Sequence, residues 1–266
     1  MKIVIKIGGQ AAEEPELRRS LARQIGELSR AGHQVVVVHG GGRLLTQTLE
    51  RLGIPTEFHQ GLRVTDAATR DVALMVLAGM VNKQWVAALE AQGQPGLGIC
   101  GGDAGLVLAR KASARSNGQA KDLGFVGRPH KISTAVLEMA FRSGLVPVVA
   151  SVALGPGGEY FNINADDLAG ALATALQADR LLYLTESGGV WDAERHLLPV
   201  VKLGEIPSLI RSGIIRDGMI PKLRSCARTL RHEVGEIDIL SPAAPNALLR
   251  AVAARVPVGT RIVKQA

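Results

Sequence analysis

Aromatic residues are scarce in this chain: Phe, Tyr and Trp together make up 3% of 266 residues. Proteins that bind nucleic acid stack bases on such rings, so the formal charge of +7 has little to work with there. The basic residues are also scattered. Their densest stretch, Lys222, Arg224, Arg228 and Arg231, reads as a solvated helix face. A basic surface also draws in anionic metabolites, and no nucleic-acid partner is expected. Cysteine is scarce too. Cys100 and Cys226 stand far apart in no metal-binding spacing and read as two reduced thiols of a cytoplasmic protein. No window of about eighteen residues is free of charge and of Gly or Pro breaks, so no membrane span is expected. The N-terminal run Met1–Lys6 carries internal lysine and meets Gly8-Gly9 at once, unlike a secretory signal.

What is present is a chain 47% apolar and 21% charged, enough for one large core or two closely joined lobes. Lys2 to Ile7 reads as a strand ending in Gly8-Gly9. A helix follows, with Pro15 near its start, Leu17, Leu21, Ile25 and Leu28 on one face, and Gly32 at its end. Gln34 to Val38 is a continuous apolar run, the pattern of a strand covered on both faces. It ends in His39-Gly40-Gly41-Gly42 and leads into a helix over about Arg43 to Leu52. Strand, glycine turn and helix, repeated, predict a parallel α/β sheet.

The middle departs from that rhythm. Ile54 to Thr65 reads as a loop and Asp66 to Ala91 as a long helix. Between Gly96 and Arg128, short β-type runs at Gly96 to Cys100, Leu106 to Ala109 and Gly124 to Gly127 suggest hairpins. Alternation resumes with a helix around Thr134 to Arg142, a strand Leu145 to Ala150, a helix Asp166 to Ala178 and a strand Leu181 to Leu184. Then come the turn Ser187-Gly188-Gly189, a helix Pro221 to His232, a strand Ile237 to Leu240, a helix Ala243 to Ala253 and a strand Thr260 to Val263. A lobe boundary is expected near Gln177, giving 1–177 and 178–266.

Several positions carry chemistry. Lys6 closes the first strand, and open α/β sheets bind ligands at the carboxyl ends of their strands. Gly40-Gly41-Gly42 ends a second buried strand and opens a helix, so its amides and the helix N-terminus offer an anion site. Neither turn has the P-loop or the dinucleotide spacing. Asn162-Ile163-Asn164-Ala165-Asp166-Asp167 stands where a loop enters a helix, where one Asn or Asp suffices as a cap. Arg63, within Gly61–Thr65, suits bidentate binding of a carboxylate. Lys222 stands at a helix start, where a cation opposes the helix dipole. His39 and His59 read as structural.

Taken in order, these motifs resemble the amino acid kinase family, and within it the members that act on N-acetyl-L-glutamate. The run is Lys6–Gly9, Val38–Gly42, Gly61–Thr65, Leu77–Lys83, Asn162–Asp166, Leu184-Thr185, Gly218–Lys222 and Val258–Thr260, spread over nearly the whole chain. The resemblance implies a three-layer αβα sandwich with a mainly parallel central sheet, an N-terminal amino-acid lobe and a C-terminal nucleotide lobe. It implies transfer of a phosphoryl group from ATP, with Mg²⁺ held mainly by the nucleotide and no protein metal site, to the side-chain carboxylate of N-acetyl-L-glutamate. Lys6 and Lys222 would contact the transferring group and Asp166 would orient both. Gly41, Gly42, Arg63, Asn162 and Asn164 would hold the acceptor. Gly8, Gly9, Thr185, Glu186, Gly188, Gly189, Trp191, Ile215 and Met219 would face the nucleotide, with Ile214 to Arg216 alongside. Two stretches depart from the family pattern: Glu186 with Ser187-Gly188-Gly189, and Asp217 before Gly218-Met219. The alternatives within the family are a kinase of carrier-protein-linked aminoadipate or another amino acid or carbamate kinase. Outside it stands a non-catalytic binding module, which loss of Lys6, Lys222 or Asp166 would mark, and all three are present. Family members inhibited by arginine carry a helix ahead of the first strand. Here that strand begins at Lys2, so a homodimer insensitive to arginine is expected.

Overall fold

In the computed structural model, residues 1–9, 11, 14–116, 119–215, 219–232, 234–253 and 257–264 are described. The first half runs β1 (Lys2–Ile7), α1 (Pro15–Arg30), β2 (Gln34–His39), α2 (Gly42–Arg51), the short pair β3 (Phe58–His59) and β4 (Leu62–Arg63), and α3 (Ala67–Glu90). Then come β5 (Gly96–Cys100), β6 (Val107–Lys111), β7 (Ala114–Ser116), β8 (Gln119–Lys121), β9 (Val126–Ile132), α4 (Ala135–Arg142), β10 (Val146–Ala150), β11 (Val152–Leu154), β12 (Tyr160–Ile163) and α5 (Ala165–Leu176). The rest is β13 (Arg180–Leu184), β14 (Val190–Trp191), β15 (Leu197–Leu198), β16 (Val200–Lys202), α6 (Ile206–Arg211), α7 (Met219–Leu230), β17 (Glu236–Leu240), α8 (Ala247–Ala253) and β18 (Thr260–Val263).

One eight-stranded sheet runs β16-β18-β17-β13-β1-β2-β10-β5, with every neighbouring pair parallel except β17 and β18. The first four strands in that order follow residue 177 in the chain and the last four precede it, so β1 beside β13 is the seam. Gln177 itself ends α5 in the left-handed region, φ +50°. The sheet separates two apolar layers. Ile3, Ile5 and Ile7 of β1 face α1, α3 and α8, while Val4 faces the opposite layer with α5 and α7. Each such fully buried side chain is worth about 2 kcal/mol of hydrophobic stabilisation. Lys6 shares the Val4 face by strand alternation, which aims it at α5. The apolar run of β2 is buried on both faces, as its sequence predicts.

Two expectations need correction. Gly96–Cys100 forms no hairpin; it is β5, the parallel edge of the main sheet beside β10. A short glycine-rich run carries no periodicity that separates the two cases. Elsewhere in that region the hairpin expectation holds: β7 pairs antiparallel with β8, and β6 with β9, which join the later β11 and β12 in a small barrel. The long helix also differs from a regular one. Leu74–Val81 inside α3 is wound as π-helix, and Val76, Leu77 and Val81 are buried there. By length and composition α3 could cross a membrane, yet 44% of its most apolar window is buried, and Val72, Leu77, Val81, Trp85 and Leu89 lie in the core. That is also the pattern of a core helix.

Candidate active site

The carboxyl ends of β1 and β2, the start of α5 and the β4 arm converge on a cavity of about 230 Å³. Of the sequence-predicted residues, Lys6, Gly8, Gly9, Gly41, Gly42, Arg63, Asn162, Asn164 and Asp166 line it. A larger cavity of about 500 Å³ lies behind Asp167, lined from α5, α7, β6 and β9, and none of those residues reaches it. The charged and glycine-rich residues gather in the smaller one.

Asp166 is its charged centre. Oδ1 meets Lys6 Nζ at 2.8 Å and Oδ2 meets Lys222 Nζ at 2.7 Å. The three side chains are 82–91% buried, with side-chain exposures of 12, 18 and 9% for Lys6, Asp166 and Lys222. Burial would push the Asp166 carboxyl upward, but the two ammonium groups overcome it and hold the acid well below its ordinary range. For Lys6 the balance goes the other way: burial, aided by repulsion from Lys222, lowers its pKa despite Asp166. The cluster carries a net positive charge next to glycine amides, which suits a polyanion.

Local structure fixes these groups. Asn164 is the N-cap of α5: its side chain accepts from the backbone N–H of Asp166 at 2.9 Å and of Asp167 at 3.2 Å. The cap orients the first turn, so Asp166 faces the cavity and Asp167 the other side, where it pairs with Arg228. Tyr183 of β13 donates its hydroxyl to the Asp166 carbonyl at 3.1 Å, and Lys222 Nζ lies 5.1 Å from the centre of the Tyr183 ring. Ser225 Oγ also donates to that carbonyl, at 3.4 Å. Tyr183 and Ser225 escape sequence reading because nothing marks them locally; they matter only once α5, α7 and β13 pack together. Ser151, buried at the end of β10 in the cavity wall, escapes too, although its place after a parallel strand is a usable signal.

Two glycines are required by geometry. Gly9 has φ +58°, and a Cβ there would sit 2.7 Å from Glu186 Oε1, which brings the Glu186 side chain against the β1 turn. Gly41 has φ +157°, and a Cβ there would meet Leu77 Cδ2 at 2.9 Å and Val81 Cγ2 at 3.1 Å, so the π-wound part of α3 packs directly on the glycine loop. Arg63 is 7% exposed and stacks over the Phe58 ring at 4.6 Å. Its Nη2 donates to Gly42 O at 3.0 Å and Thr46 Oγ1 at 2.7 Å, and Nη1 to Thr56 Oγ1 at 3.3 Å. Of about five guanidinium N–H groups, those three bonds leave two uncommitted beside the cavity. Asn162 donates to Thr65 Oγ1 at 3.4 Å from the same wall.

A family model described as "Amino acid kinase family" matches residues 1–241. The chain belongs to the amino acid kinase family. It is 47% identical over 263 residues to "Acetylglutamate kinase" of Koribacter versatilis, with 99% of each chain covered. It is 44% identical, at the same coverage, to "Acetylglutamate kinase" of Acidobacterium capsulatum. Among solved structures, N-acetylglutamate synthase from Neisseria gonorrhoeae, complexed with coenzyme A and N-acetyl-glutamate, matches with a TM-score of 0.87 at 29% identity. That match covers 100% of this chain but 60% of the synthase.

The remaining residues assigned to the nucleotide by resemblance lie outside the small cavity of this kinase. Thr185 and Gly188 form a turn after β13: Thr185 N–H donates to Leu240 O at 2.9 Å and Gly188 N–H to Thr185 O at 3.0 Å. Gly189 abuts Thr260, and Trp191 is 44% exposed with its Nε1 donating to Ser187 O at 2.7 Å. Met219 is half-buried at the start of α7, whereas the Ile215 side chain is buried in the core at 2% exposure. Arg216, Asp217 and Gly218 lie outside the described residues. Cys100 and Cys226 are free and buried, and burial pushes the Cys226 thiol up to about 12, which makes it unreactive.

Proposed function

We propose that this kinase transfers the γ-phosphoryl group of ATP to the side-chain carboxylate of N-acetyl-L-glutamate, a step of arginine biosynthesis. The observation that carries the reading is the Asp166 carboxylate held between Lys6 and Lys222 at the mouth of a glycine-lined cavity. The names of the full-length relatives support the acceptor.

The chemistry needs no general base. A glutamate side-chain carboxylate, with a pKa near 4.3, is already ionised at neutral pH. One of its oxygens attacks the γ-phosphorus, the bond to the ADP oxygen breaks, and an acyl phosphate and ADP leave. Catalysis is then alignment plus neutralisation of charge on the phosphoryl oxygens. Lys6 and Lys222 supply two cations, and the amides of Gly9, Gly41 and Gly42 supply hydrogen bonds. Arg63 and Asn162 hold the acceptor's α-carboxylate and acetamido group. The carboxylate lining the cavity, Asp166, is committed to two lysines, which favours a Mg²⁺ bound through the nucleotide phosphates, where it would neutralise their charge.

In the same reading residues 1–177 carry the acceptor and 178–266 the nucleotide, so transfer occurs across the β1–β13 seam. The outward side of α3, with Met75 61% and Met80 48% exposed, supports a homodimer joined through the N-terminal half, and the same reading places the enzyme in the cytoplasm. ADP release measured with N-acetylglutamate, glutamate and aminoadipate side by side tests the acceptor. Turnover with N-acetylglutamate at least tenfold above the others is expected, and a preference for aminoadipate overturns the reading.

A further inference from the structure

His39 and Asn82 are buried polar residues beside the glycine loop that the phosphoryl chemistry leaves unused. Both are 0% exposed. His39 ends β2, immediately before Gly40, and Asn82 follows the π-wound stretch of α3 that packs on Gly41. The Asn82 Nδ2 lies 2.8 Å from Val148 O of β10, 3.2 Å from Ile99 O of β5 and 3.2 Å from His39 Nε2. Its Oδ1 is buried with no hydrogen-bond partner.

The protonation pattern follows. Two backbone carbonyls only accept, so the amide NH₂ has to point at them and Oδ1 away. That amide has two hydrogens for three neighbours, so the imidazole tautomer is set at the other ring nitrogen: Gly40 O can only accept, which places the proton on Nδ1 and leaves Nε2 facing the Asn82 amide. Nδ1 lies 2.8 Å from Gly40 O and donates to it. Burial lowers the His39 pKa to about 4, in keeping with a neutral ring.

That last bond has leverage beyond its own energy. The Gly40–Gly41 peptide is planar and trans, so the Gly40 C=O and the Gly41 N–H point in opposite directions within one rigid unit. A peptide between two glycines rotates more freely than any other, because neither residue has a Cβ to restrict it. Fixing Gly40 O on the His39 side therefore fixes the Gly41 N–H on the other. Arg63 holds the next carbonyl but one, Gly42 O, at 3.0 Å, so the loop is pinned at both ends.

We infer that His39, in the Nδ1–H tautomer that Gly40 O requires and packed against Asn82, is a positioning residue that aims the Gly41 amide into the reaction cavity. The inference rests on the proposal that this loop seats the acceptor's reacting carboxylate. Because Asn82 also ties α3 to β5 and β10, loop orientation is referenced to the rigid sheet rather than to the loop's own conformation.

The test uses the full chain. His39→Leu removes the N–H, while His39→Asn returns an amide N–H close to the position of Nδ1. Expected for His39→Leu is a kcat lower by roughly 10- to 100-fold, the range that misplacing a reacting group produces. Its KM for N-acetylglutamate should rise and its KM for ATP stay within about twofold, while His39→Asn should recover most of the loss. A His39→Leu protein that melts earlier but keeps kcat and both KM values overturns the inference, as does an Asn variant as impaired as the Leu one. Should the Leu variant not fold, ¹⁵N NMR of the wild-type imidazole decides: a neutral Nδ1–H tautomer from about pH 6 to 8, spanning the ordinary His pKa near 6.5, supports it. An Nε2–H tautomer or an imidazolium refutes it. Gly42→Ala separates the two layers, since the added methyl meets nothing within 4 Å and would stand in open space beside the cavity. Normal kinetics there refute the seat of the carboxylate; impaired Gly42→Ala with normal His39→Leu refutes the positioning role alone.

Discussion

Replacing Asp166 by Asn removes one negative charge from between two lysines and leaves the shape nearly unchanged. Lys6 and Lys222 would then stand as two buried ammonium groups with no anion at 2.8 and 2.7 Å. Breaking a buried pair by removing one partner costs about 3–5 kcal/mol, a large part of a typical total of about 5–15 kcal/mol. The protein has a second way out, which is to release a proton. Loss of the neighbouring anion removes what favours the charged ammonium, so the Lys6 pKa should fall further. Lys6 starts below its ordinary value already, through burial and then repulsion from Lys222. Activity that needs a charged Lys6 fails on the alkaline side in the wild type. In Asp166→Asn that limb should move toward neutrality. Stability should respond at the acid end. The wild-type Asp166 pKa is depressed, so its contribution is full above the ordinary 3.8 and is lost as pH falls below that; the Asn variant lacks this loss. The assays are kcat against pH and thermal or urea unfolding at several pH values. An unmoved alkaline limb together with an unfolding free energy within about 1 kcal/mol of wild type would refute the charge argument.

Lys222→Ala should lower kcat by roughly 10²-fold or more while both KM values change less, as expected for a group that stabilises transition-state charge; near-normal turnover removes it from the site. Arg63→Ala should raise the KM for N-acetylglutamate by about 2 kcal/mol, roughly 30-fold, and leave the KM for ATP unchanged. An effect on ATP alone would reverse the lobe assignment. Asp238→Asn is the structural counterpart of Asp166→Asn. Asp238 is 1% exposed and bridges Arg261 Nε at 2.8 Å and Arg180 Nη1 at 3.0 Å near the starting ends of their strands. It should cost about 3–5 kcal/mol of stability and leave both KM values as they are. Met75→Asp should convert a dimer to monomers by light scattering; an unchanged mass places the subunit contact elsewhere.

The legible parts of this molecule were those with a local signature. Alternating glycine turns and apolar runs specify β1, β2 and β13 because a strand buried on both faces needs a continuous apolar sequence. Lys6, the triple glycine and the Asn-rich turn before Asp166 stand out because each breaks a local rule: a charge at the end of a buried strand, more glycine than a turn needs, more amides than a cap needs. β5 was misread because Gly96-Leu97-Gly98-Ile99-Cys100 has the length and glycine content of a hairpin arm, and only its partner β10 decides between the two. The π-winding of α3 left no trace in the pattern, since Leu74–Val81 is apolar on every face. Tyr183 and Ser225 were silent for another reason, and the contacts of Asn82, though it lies in the Leu77–Lys83 motif, were equally hidden. Each acts on backbone carbonyls far away in sequence, Asp166 for the first two and Ile99 and Val148 for the third, and such contacts exist only in the assembled fold.

The two halves of the sheet divide the electrostatic work in a way that the strand order explains. Lys6 comes from β1, the seam strand of the N-terminal half, and Lys222 from α7 of the C-terminal half, which packs on α5. Asp166 stands between them at the start of α5, the helix that leads across the seam into β13. A single carboxylate therefore holds two cations whose supports belong to opposite halves of the molecule. Any motion of one half against the other has to stretch one of two contacts of 2.8 and 2.7 Å, and a third anion placed between the lysines would share them with Asp166. A transferring phosphoryl group is such an anion. In the proposed reaction it would draw both ammonium groups toward the line of transfer while Asp166 kept them from separating, so approach of the two halves and neutralisation of the phosphoryl oxygens would be one event. That arrangement also gives the reason for a carboxylate rather than a neutral amide at position 166: two ammonium groups that share one carboxylate would otherwise repel each other in a site with little water to screen them.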